Sequence, residues 1–290
     1  MKEDRFVVPR FLAIPFAIYL LVIIVPFFQS FHLSLTDWNG ISEHFNFVGL
    51  SNYLMVFSDP AFSNAVIHNF IWVVMYLLLP TSLGLVLAVL LDKKIRGAVF
   101  FKSVIYLPMI FSYVIAGMIW TFIYEPRLGI INLALEATGL QQYARAWIAD
   151  PDTALFSVIV AASWQHTGLC MVLFLAGLQG VRSDLVEAAE IDGCNRAEVF
   201  FFVVLPQLKN TTIVVVSLTI INALKSFDIV YIMTRGGPFR SSEVLTTLMY
   251  REAFWNYRMG YGSAIANMLF FMVLVMIVIY FRSAMGRETS

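Results

Sequence analysis

The sequence predicts an all-α membrane protein, a bundle of about six transmembrane helices with both termini in the cytoplasm. Of its 290 residues, 60% are hydrophobic and only 13% are charged, and the mean hydropathy is +0.79. A soluble domain carries about a quarter charged residues, so this composition indicates a chain that is solvated largely by lipid. The net charge of zero gives no reason to expect a nucleic-acid partner.

Six stretches of the chain lack Asp, Glu, Lys and Arg and approach the roughly 20 residues that a membrane helix needs. The fifth charge-free stretch, Asn210–Leu224, is short, so we expect its helix to continue through Lys225 and Asp228 to about Met233. The first stretch is too long for the apolar region of a signal peptide, and no A-x-A pattern follows it, which indicates an uncleaved span. The predicted spans are 11–33, 67–91, 103–124, 153–179, 210–233 and 261–281.

The distribution of Lys and Arg between the connections predicts the orientation. With the N-terminus inside, the cytoplasmic segments hold twelve of the nineteen basic residues, the outer loops hold six, and Lys225 lies within a span. The first outer loop has no Lys or Arg, whereas the loop after span five has four, against the rule. On balance the positive-inside rule predicts that both termini lie in the cytoplasm. Residues 1–290 are predicted to form one transmembrane domain.

The most informative connection is the segment 182–206, between spans four and five. Gly193 in its middle predicts a helix end, because glycine readily adopts the left-handed conformation that terminates helices. Pro206 tends to stop or kink the chain that follows. We therefore expect a helix, a sharp glycine turn and a second helix. Two pairs at the spacing of a capping box predict where these helices begin: Asp184 with Glu187, and Asn195 with Glu198.

The first of these helices combines apolar, small and acidic residues. Ala188 and Ala189 allow another surface to approach closely, and Glu187 and Asp192 offer charges for basic groups. Such a helix is typical of one that docks into a groove of a partner protein. The alternative is an amphipathic helix on lipid headgroups, but its acidic residues oppose this because anionic lipids attract Lys and Arg.

The same residues resemble the EAA loop of bacterial ABC importer permeases. The pattern consists of Glu187-Ala188-Ala189, then Asp192-Gly193, then Leu205-Pro206, with Cys194 where alanine is usual. Nearly the whole chain is similar to the carbohydrate-uptake branch of that family, the maltose and multiple-sugar type. Further matching segments are 34–38, 47–53, 106–108, 176–179, 227–228 and 234–238.

The resemblance implies the type I importer permease fold in a bacterial cytoplasmic (inner) membrane, and ATP-driven uptake of a sugar or oligosaccharide. A second permease subunit would complete the pathway, most simply as a heterodimer, with a cytoplasmic ATPase dimer below and an extracytoplasmic solute-binding protein above. Glu187 would pair with a basic group of the ATPase, Ala188 and Ala189 would permit close contact, and Gly193 would set the turn. Asp192 belongs to the same coupling motif.

The sequence agrees with this division of labour. It contains no G-x-x-x-x-G-K-[ST] phosphate loop, so the chain is predicted to be a transport subunit and not an enzyme. No cofactor or metal site is predicted. Cys170 and Cys194 form no CxxC pair and are expected to act as small packing residues.

Polar residues inside spans four and five mark the predicted pathway, because such residues usually face a cavity or another helix. Lys225 and Asp228, spaced i,i+3, could neutralise each other, contact substrate or bond to another helix. His166 is expected to pack or to bond another helix. The candidates with amide, charged or aromatic groups suited to sugars are Trp164, Gln165, Asn222, Lys225, Ser226 and Asp228.

Three other readings remain open at the sequence level. Close relatives in the family carry glycerol 3-phosphate and other polar solutes. An ion-coupled secondary transporter would predict paired repeats and more intramembrane acids than Asp228. A membrane enzyme would require a catalytic motif such as H-E-x-x-H or G-x-S-x-G, and neither occurs. The turn Thr234–Pro238 is expected at the outer face, where it could touch a binding protein.

Overall fold

A computed structural model describes residues 4–92 and 96–285, with side chains described within 12–92 and 96–284. Over these residues the chain is helical and has no β-strand; one isolated bridge joins Thr36 and Phe47. The all-α prediction is confirmed. Four basic residues that enter the orientation argument lie outside the described residues: Lys2, Lys93, Lys94 and Arg287.

The helices alternate long apolar runs with short connecting helices. Within the described ranges, five runs are long and apolar enough to cross a membrane, and a bent pair makes a sixth if it is one span, which confirms the expected membrane fold. The elements are α1 Leu12–Leu33 (continuing a helical run from Asp4, with a π-helical turn Leu20–Ile24), α2 Ser51–Ser58, α3 Pro60–Asp92 (π-helical turn Leu77–Thr81), α4 Ala98–Ile110, α5 Tyr113–Ile123, α6 Ile130–Ala137, α7 Ala154–Leu178, α8 Ser183–Ile191, α9 Arg196–Val199 with the π-helical turn Phe200–Val204 and Leu205–Gln207, α10 Lys209–Leu224, α11 Asp228–Met233, α12 Leu245–Tyr250 (followed by the π-helical turn Arg251–Trp255) and α13 Met259–Met285.

The predicted third span, 103–124, is not a single helix. Its two parts, α4 and α5, meet at an angle of 102°. Phe111 is extended at the break (φ −72°, ψ 146°), and the Ser112 side chain accepts a hydrogen bond from the N–H of Ile115, which caps the start of α5. Pro108 in the last turn of α4 also weakens the helix there, because its ring removes a donor from the backbone.

The fifth apolar run is also interrupted where it was expected to continue. α10 ends at Leu224, the non-helical Phe227 (φ −121°, ψ −60°) follows, and α11 begins at Asp228. Two hydroxyl bonds stabilise the interruption: Ser226 donates to the Asn222 carbonyl (3.0 Å), and Thr246 donates to the Ser226 carbonyl (2.6 Å). Backbone groups released by a break inside a membrane need such partners.

The chain divides into two compact units. One consists of Met1–Ser63 and Leu248–Phe271; the other consists of Asn64–Thr247 and Met272–Ser290. In the second unit α7 is central and packs against α3, α4, α5 and α10. Its crossing with α3 is close, because a Cβ on Gly84 would lie 2.5 Å from the Cβ of Cys170. Cys170 is buried there, as a packing residue.

In the first unit, polar bonds link the end of the 36–63 segment to the start of α13. The Tyr261 hydroxyl donates to the Asp59 carboxylate (2.8 Å), and the Arg258 guanidinium lies 4.1 Å from the centre of the Tyr261 ring. Arg258 also pairs with the buried carboxylate of Glu252 at 3.3 Å. A carboxylate buried in this way is stabilised by the cation beside it.

Candidate functional site

The first helix of the 182–206 segment starts two residues earlier than a capping box at Asp184 and Glu187 would place it. α8 begins at Ser183, and the residue before it, Arg182, provides no side-chain cap. The capping-box prediction for this pair is wrong because Arg182 binds the Asp184 carboxylate itself, with its Nε 3.2 Å from Oδ1. This hydrogen bond lowers the pKa of Asp184 below its usual value and keeps a negative charge in the first turn, where the helix dipole favours it.

The turn at Gly193 follows the expected geometry. Gly193 has φ +88°, a left-handed conformation that other residues adopt only with strain. Its N–H donates to the Glu190 carbonyl (3.2 Å), and the N–H of Cys194 donates to the Ala189 carbonyl (3.0 Å). This pair of bonds defines a Schellman motif, which satisfies the free carbonyls at the end of α8.

The second helix begins as the sequence predicts. The Asn195 side chain accepts hydrogen bonds from the N–H groups of Ala197 (3.0 Å) and Glu198 (3.1 Å). The Glu198 carboxylate accepts in return from the N–H of Asn195 at 2.7 Å. This reciprocal capping box fixes the direction in which α9 leaves the turn.

The coupling-motif residues of α8 face away from the packed part of the unit. Glu187, Ala188 and Asp192 are exposed, and Ala189 is half-buried. In the described part of the chain, α9 is the helix against which α8 packs most closely. Glu187 forms no hydrogen bond or ion pair with any residue in the described ranges. The segment therefore presents a rigid, exposed helix whose acidic and small residues are free to contact another surface.

Glu187 also borders a cleft of about 560 Å³ between α8, α9 and the end of α3. Glu190 and Arg196 line it from the turn region, and Asp92 lines it from α3. Neither Asp92 nor Arg196 was among the predicted site residues. Arg196 lies in the 182–206 segment, but Asp92 is distant in sequence and only the fold brings it here. The cleft mixes both signs of charge and is suited to a partner that carries complementary groups.

The two pathway candidates on α7 have different environments. Gln165 is buried and its Nε2 donates to the Phe111 carbonyl, at the break between α4 and α5. Trp164 is half-buried, and its ring lies 6.0 Å from that of Trp120, edge to face. Gln165 thus stabilises the broken span, a structural role that the sequence did not indicate. Its Oε1 is buried without a partner in the described part of the chain.

The four candidates after α7 gather at the interruption between α10 and α11. Asn222 and Ser226 are half-buried, whereas Lys225 and Asp228 are exposed. The suggested pairing of Lys225 with Asp228 is wrong: no ion pair joins them in the described ranges, because the helix that would align an i,i+3 pair is interrupted between them. Both charges therefore remain accessible at a break inside an apolar run.

His166 has the packing role expected of it. Its Nε2 lies 3.0 Å from the Thr219 hydroxyl on α10, and its ring stacks on Tyr76 at a centroid distance of 4.9 Å. These contacts tie α7 to α10 and to α3. No group of three His, Cys, Asp or Glu side chains within 4–92 and 96–285 could hold a metal ion.

An apolar helical bundle with an exposed, capped helix–turn–helix between two of its spans matches a known family of membrane components. The family model of the binding-protein-dependent transport system inner membrane component matches residues 80–287, which include α4 to α12 and the whole 182–206 segment. The chain belongs to this family. It is therefore a multi-pass membrane component of a binding-protein-dependent transport system.

Individual relatives cover almost the whole chain. The probable ABC transporter permease protein YurN of Bacillus subtilis is 36% identical over 278 residues, 95% of each chain. The alpha-glucoside transport system permease protein AglF of Rhizobium meliloti is 36% identical over 289 residues, 96% of this chain and 81% of that one.

Solved structures share the fold. A bacterial ABC transporter involved in the import of the acidic polysaccharide alginate contains a chain with a TM-score of 0.84 and 18% identity, matched over 99% of this chain and 98% of that one. The same type of transporter in complex with an alginate pentasaccharide-bound periplasmic protein gives a TM-score of 0.82 at 18% identity, over 100% and 98% of the two chains.

Proposed function

We propose that this chain is the transmembrane permease subunit of an ATP-driven importer that translocates a sugar or oligosaccharide across a bacterial cytoplasmic membrane. The observation that carries the proposal is the exposed α8–Gly193–α9 segment. A connector between spans needs no Schellman turn, capping box or acidic exposed helix, whereas a docking helix requires a rigid shape. Residues 1–290 act in this proposal as one permease domain, with both termini and the segment 182–206 in the cytoplasm.

The partner at this segment is a cytoplasmic ATPase dimer. Glu187 is exposed and without a partner among the described residues, so its charge is available to a basic group of the ATPase, and the small side chains of Ala188 and Ala189 leave room for close contact. Gly193 holds α8 and α9 at a fixed angle, and Asp192 precedes the turn. Nucleotide-driven closure of the ATPases then displaces α8 and, through α9, the spans that follow, which couples the two sites thermodynamically.

The solute arrives from an extracytoplasmic binding protein and crosses between this chain and a second permease subunit. The chain's relative AglF is named for alpha-glucosides and its structural neighbour for alginate, both carbohydrates. At the α10–α11 break, Asn222, Ser226, Lys225 and Asp228 offer hydrogen-bonding groups for sugar hydroxyls. Trp164 on α7 offers an aromatic face. Gln165 contributes by fixing the α4–α5 break and not by direct contact.

Purification tests the proposal. The chain is coexpressed with the permease, ATPase and binding protein encoded beside it, and the complex is reconstituted in vesicles. We expect ATP hydrolysis only in the assembled complex, stimulated by the binding protein loaded with a sugar. Thermal-shift screening of that binding protein with sugars identifies the solute. Stabilisation by glycerol 3-phosphate instead of a sugar supports the alternative substrate, and uptake that follows an ion gradient without ATP contradicts the proposal.

A further inference from the structure

The short helix α2 exposes an apolar face at one end of the membrane spans. Leu54 and Phe57 of α2 lie on one side of the helix, and Leu50, the residue directly before the helix, continues the same i, i+4, i+7 spacing. Leu50, Leu54 and Phe57 are 66%, 70% and 67% exposed. On the opposite side Asn52 and Val56 are buried. We call Leu50, Leu54 and Phe57 the α2 face. A contiguous exposed apolar face of this kind marks an interaction surface.

Hydrogen bonds hold α2 at the level where a membrane span ends. The Asn52 side chain donates to the carbonyls of Ser34 (2.9 Å) and Thr36 (2.8 Å), within three residues of the end of α1. The hydroxyl of Tyr53 lies 2.7 Å from that of Ser34. At its other end, α2 is separated from the long span α3 only by Asp59. Because these bonds tie α2 to the end of the span α1, its level is the boundary between the hydrocarbon region and water at that end.

The neighbouring hairpin 36–47, closed by an isolated bridge between Thr36 and Phe47, supports the same level. The rings of Trp38 and Phe45 lie 6.1 Å apart and line a groove of about 550 Å³. The groove is also lined by α1: Val25, Phe28, Gln29, His32 and Leu33. A Trp at the end of a span is typical of the headgroup region of a bilayer. The hairpin therefore folds back over the last turns of α1, and aromatic side chains reach toward the hydrocarbon region beside α2.

The chemistry of the α2 face favours lipid over a protein partner. Its three side chains carry no hydrogen-bond donor or acceptor, and α2 itself, Ser51–Ser58, has no charged residue that could pair with another chain. An apolar helix face at the end of a span is stabilised by burial at the boundary of headgroups and acyl chains, in proportion to the apolar area that it buries. We infer that α2 is an interfacial helix whose Leu50, Leu54 and Phe57 insert into the lipid leaflet at which α1 ends.

Site-specific fluorescence in the complete transporter tests this inference. Leu54→Cys and Phe57→Cys are made separately in a Cys194→Ser background, since Cys170 is buried and unreactive toward label. Each variant is labelled with a nitrobenzoxadiazole fluorophore and reconstituted with its partner subunits in lipid nanodiscs. Glu43→Cys, at an exposed charged position of the hairpin, is the matched control. The two quenchers are a phosphatidylcholine with a nitroxide on its acyl chain and a water-soluble nickel chelate.

We expect the acyl-chain nitroxide to quench labels at positions 54 and 57 several-fold more strongly than the nickel chelate does, and the reverse order at position 43. Stronger quenching by the nickel chelate at 54 and 57 places the face in water and overturns the inference. Shielding from both quenchers shows that a protein chain covers the face, and it overturns the inference equally. The two labelled positions are independent, so a folding defect in one variant leaves the other decisive.

Discussion

Replacement of Gly193 by alanine tests whether the turn between α8 and α9 transmits the ATPase signal. No atom lies within 4 Å of the Cβ that alanine would add, so the substitution causes no steric overlap. Its cost is the left-handed backbone (φ +88°), which for an L-residue amounts to about 1–2 kcal/mol. That energy lowers the ratio of the native turn to alternative conformations by a factor of about 5 to 30.

Gly139 provides a matched control for this substitution. It also has a positive φ (+75°) and open space around its Cβ position. Its turn after α6 has the same two bonds, from Gly139 N–H to the Glu136 carbonyl (3.0 Å) and from Leu140 N–H to the Leu135 carbonyl (2.7 Å). Gly139→Ala therefore introduces a comparable strain in a Schellman turn that lies outside the coupling segment.

The assay is ATP hydrolysis stimulated by the sugar-loaded binding protein, together with sugar uptake, in reconstituted vesicles. We expect Gly193→Ala to reduce both several-fold, with about 30-fold as the upper limit set by the strain, and Gly139→Ala to match the unsubstituted transporter. Gly193→Pro, which also removes the N–H donated to Glu190, abolishes uptake while the protein remains in the membrane. Equal losses in both alanine variants, or normal uptake by a stably expressed Gly193→Pro variant, refute a specific role for this turn.

Three further substitutions test other parts of the structure. Glu187→Ala removes an exposed charge of α8 and should lower stimulated ATP hydrolysis. The control is Glu136→Ala, which removes an exposed acidic residue from the helix α6. Equal ATP hydrolysis in the two variants contradicts the proposed contact of Glu187 with the ATPase. Gln165→Leu leaves a buried carbonyl at the α4–α5 break without its donor, a cost of about 1–3 kcal/mol. The thermal unfolding midpoint of the Gln165→Leu variant in detergent should fall, whereas Gln141→Leu, at an exposed position, should leave the midpoint unchanged. An unaltered midpoint for Gln165→Leu would show that the hydrogen bond to the Phe111 carbonyl is dispensable. Asn52→Ala removes two hydrogen bonds between α2 and the end of α1. The loss should expose a label at position 54 to the nickel chelate. Retained quenching by the acyl-chain nitroxide would show that other contacts hold α2.

The sequence predicts best those features that depend on neighbouring residues. The turn at Gly193 and the capping box of Asn195 with Glu198 require only residues within one helical turn, so their chemistry is readable from spacing. The number of membrane spans is equally accessible, because composition alone decides whether about 20 residues can lie in lipid. The packing role of His166 was also predicted, although its partners Tyr76 and Thr219 were not.

Features that depend on distant residues escaped prediction. The break at Phe111 is stabilised by Gln165, which is far along the chain, and nothing in the segment 103–124 indicates that donor. A nearby side chain can also override spacing: Asp184 has the spacing of a helix cap, yet the Arg182 guanidinium binds its carboxylate. Helical spacing also suggested that Lys225 and Asp228 pair, and this failed because tertiary hydrogen bonds end the helix between them.

The bend between α4 and α5 gives the two halves of this helix pair different neighbours. α4 packs against α7, directly upstream of the coupling segment, whereas α5 packs against α11, where Gly117 lies beside Ile232. α5 also packs against α7, so the two halves of the bent pair share α7 as a neighbour, whereas α11 packs closely against α5 and not against α4. Under the proposed function, a displacement of α7 would therefore reach both halves, and a displacement of α11 would reach α5 alone.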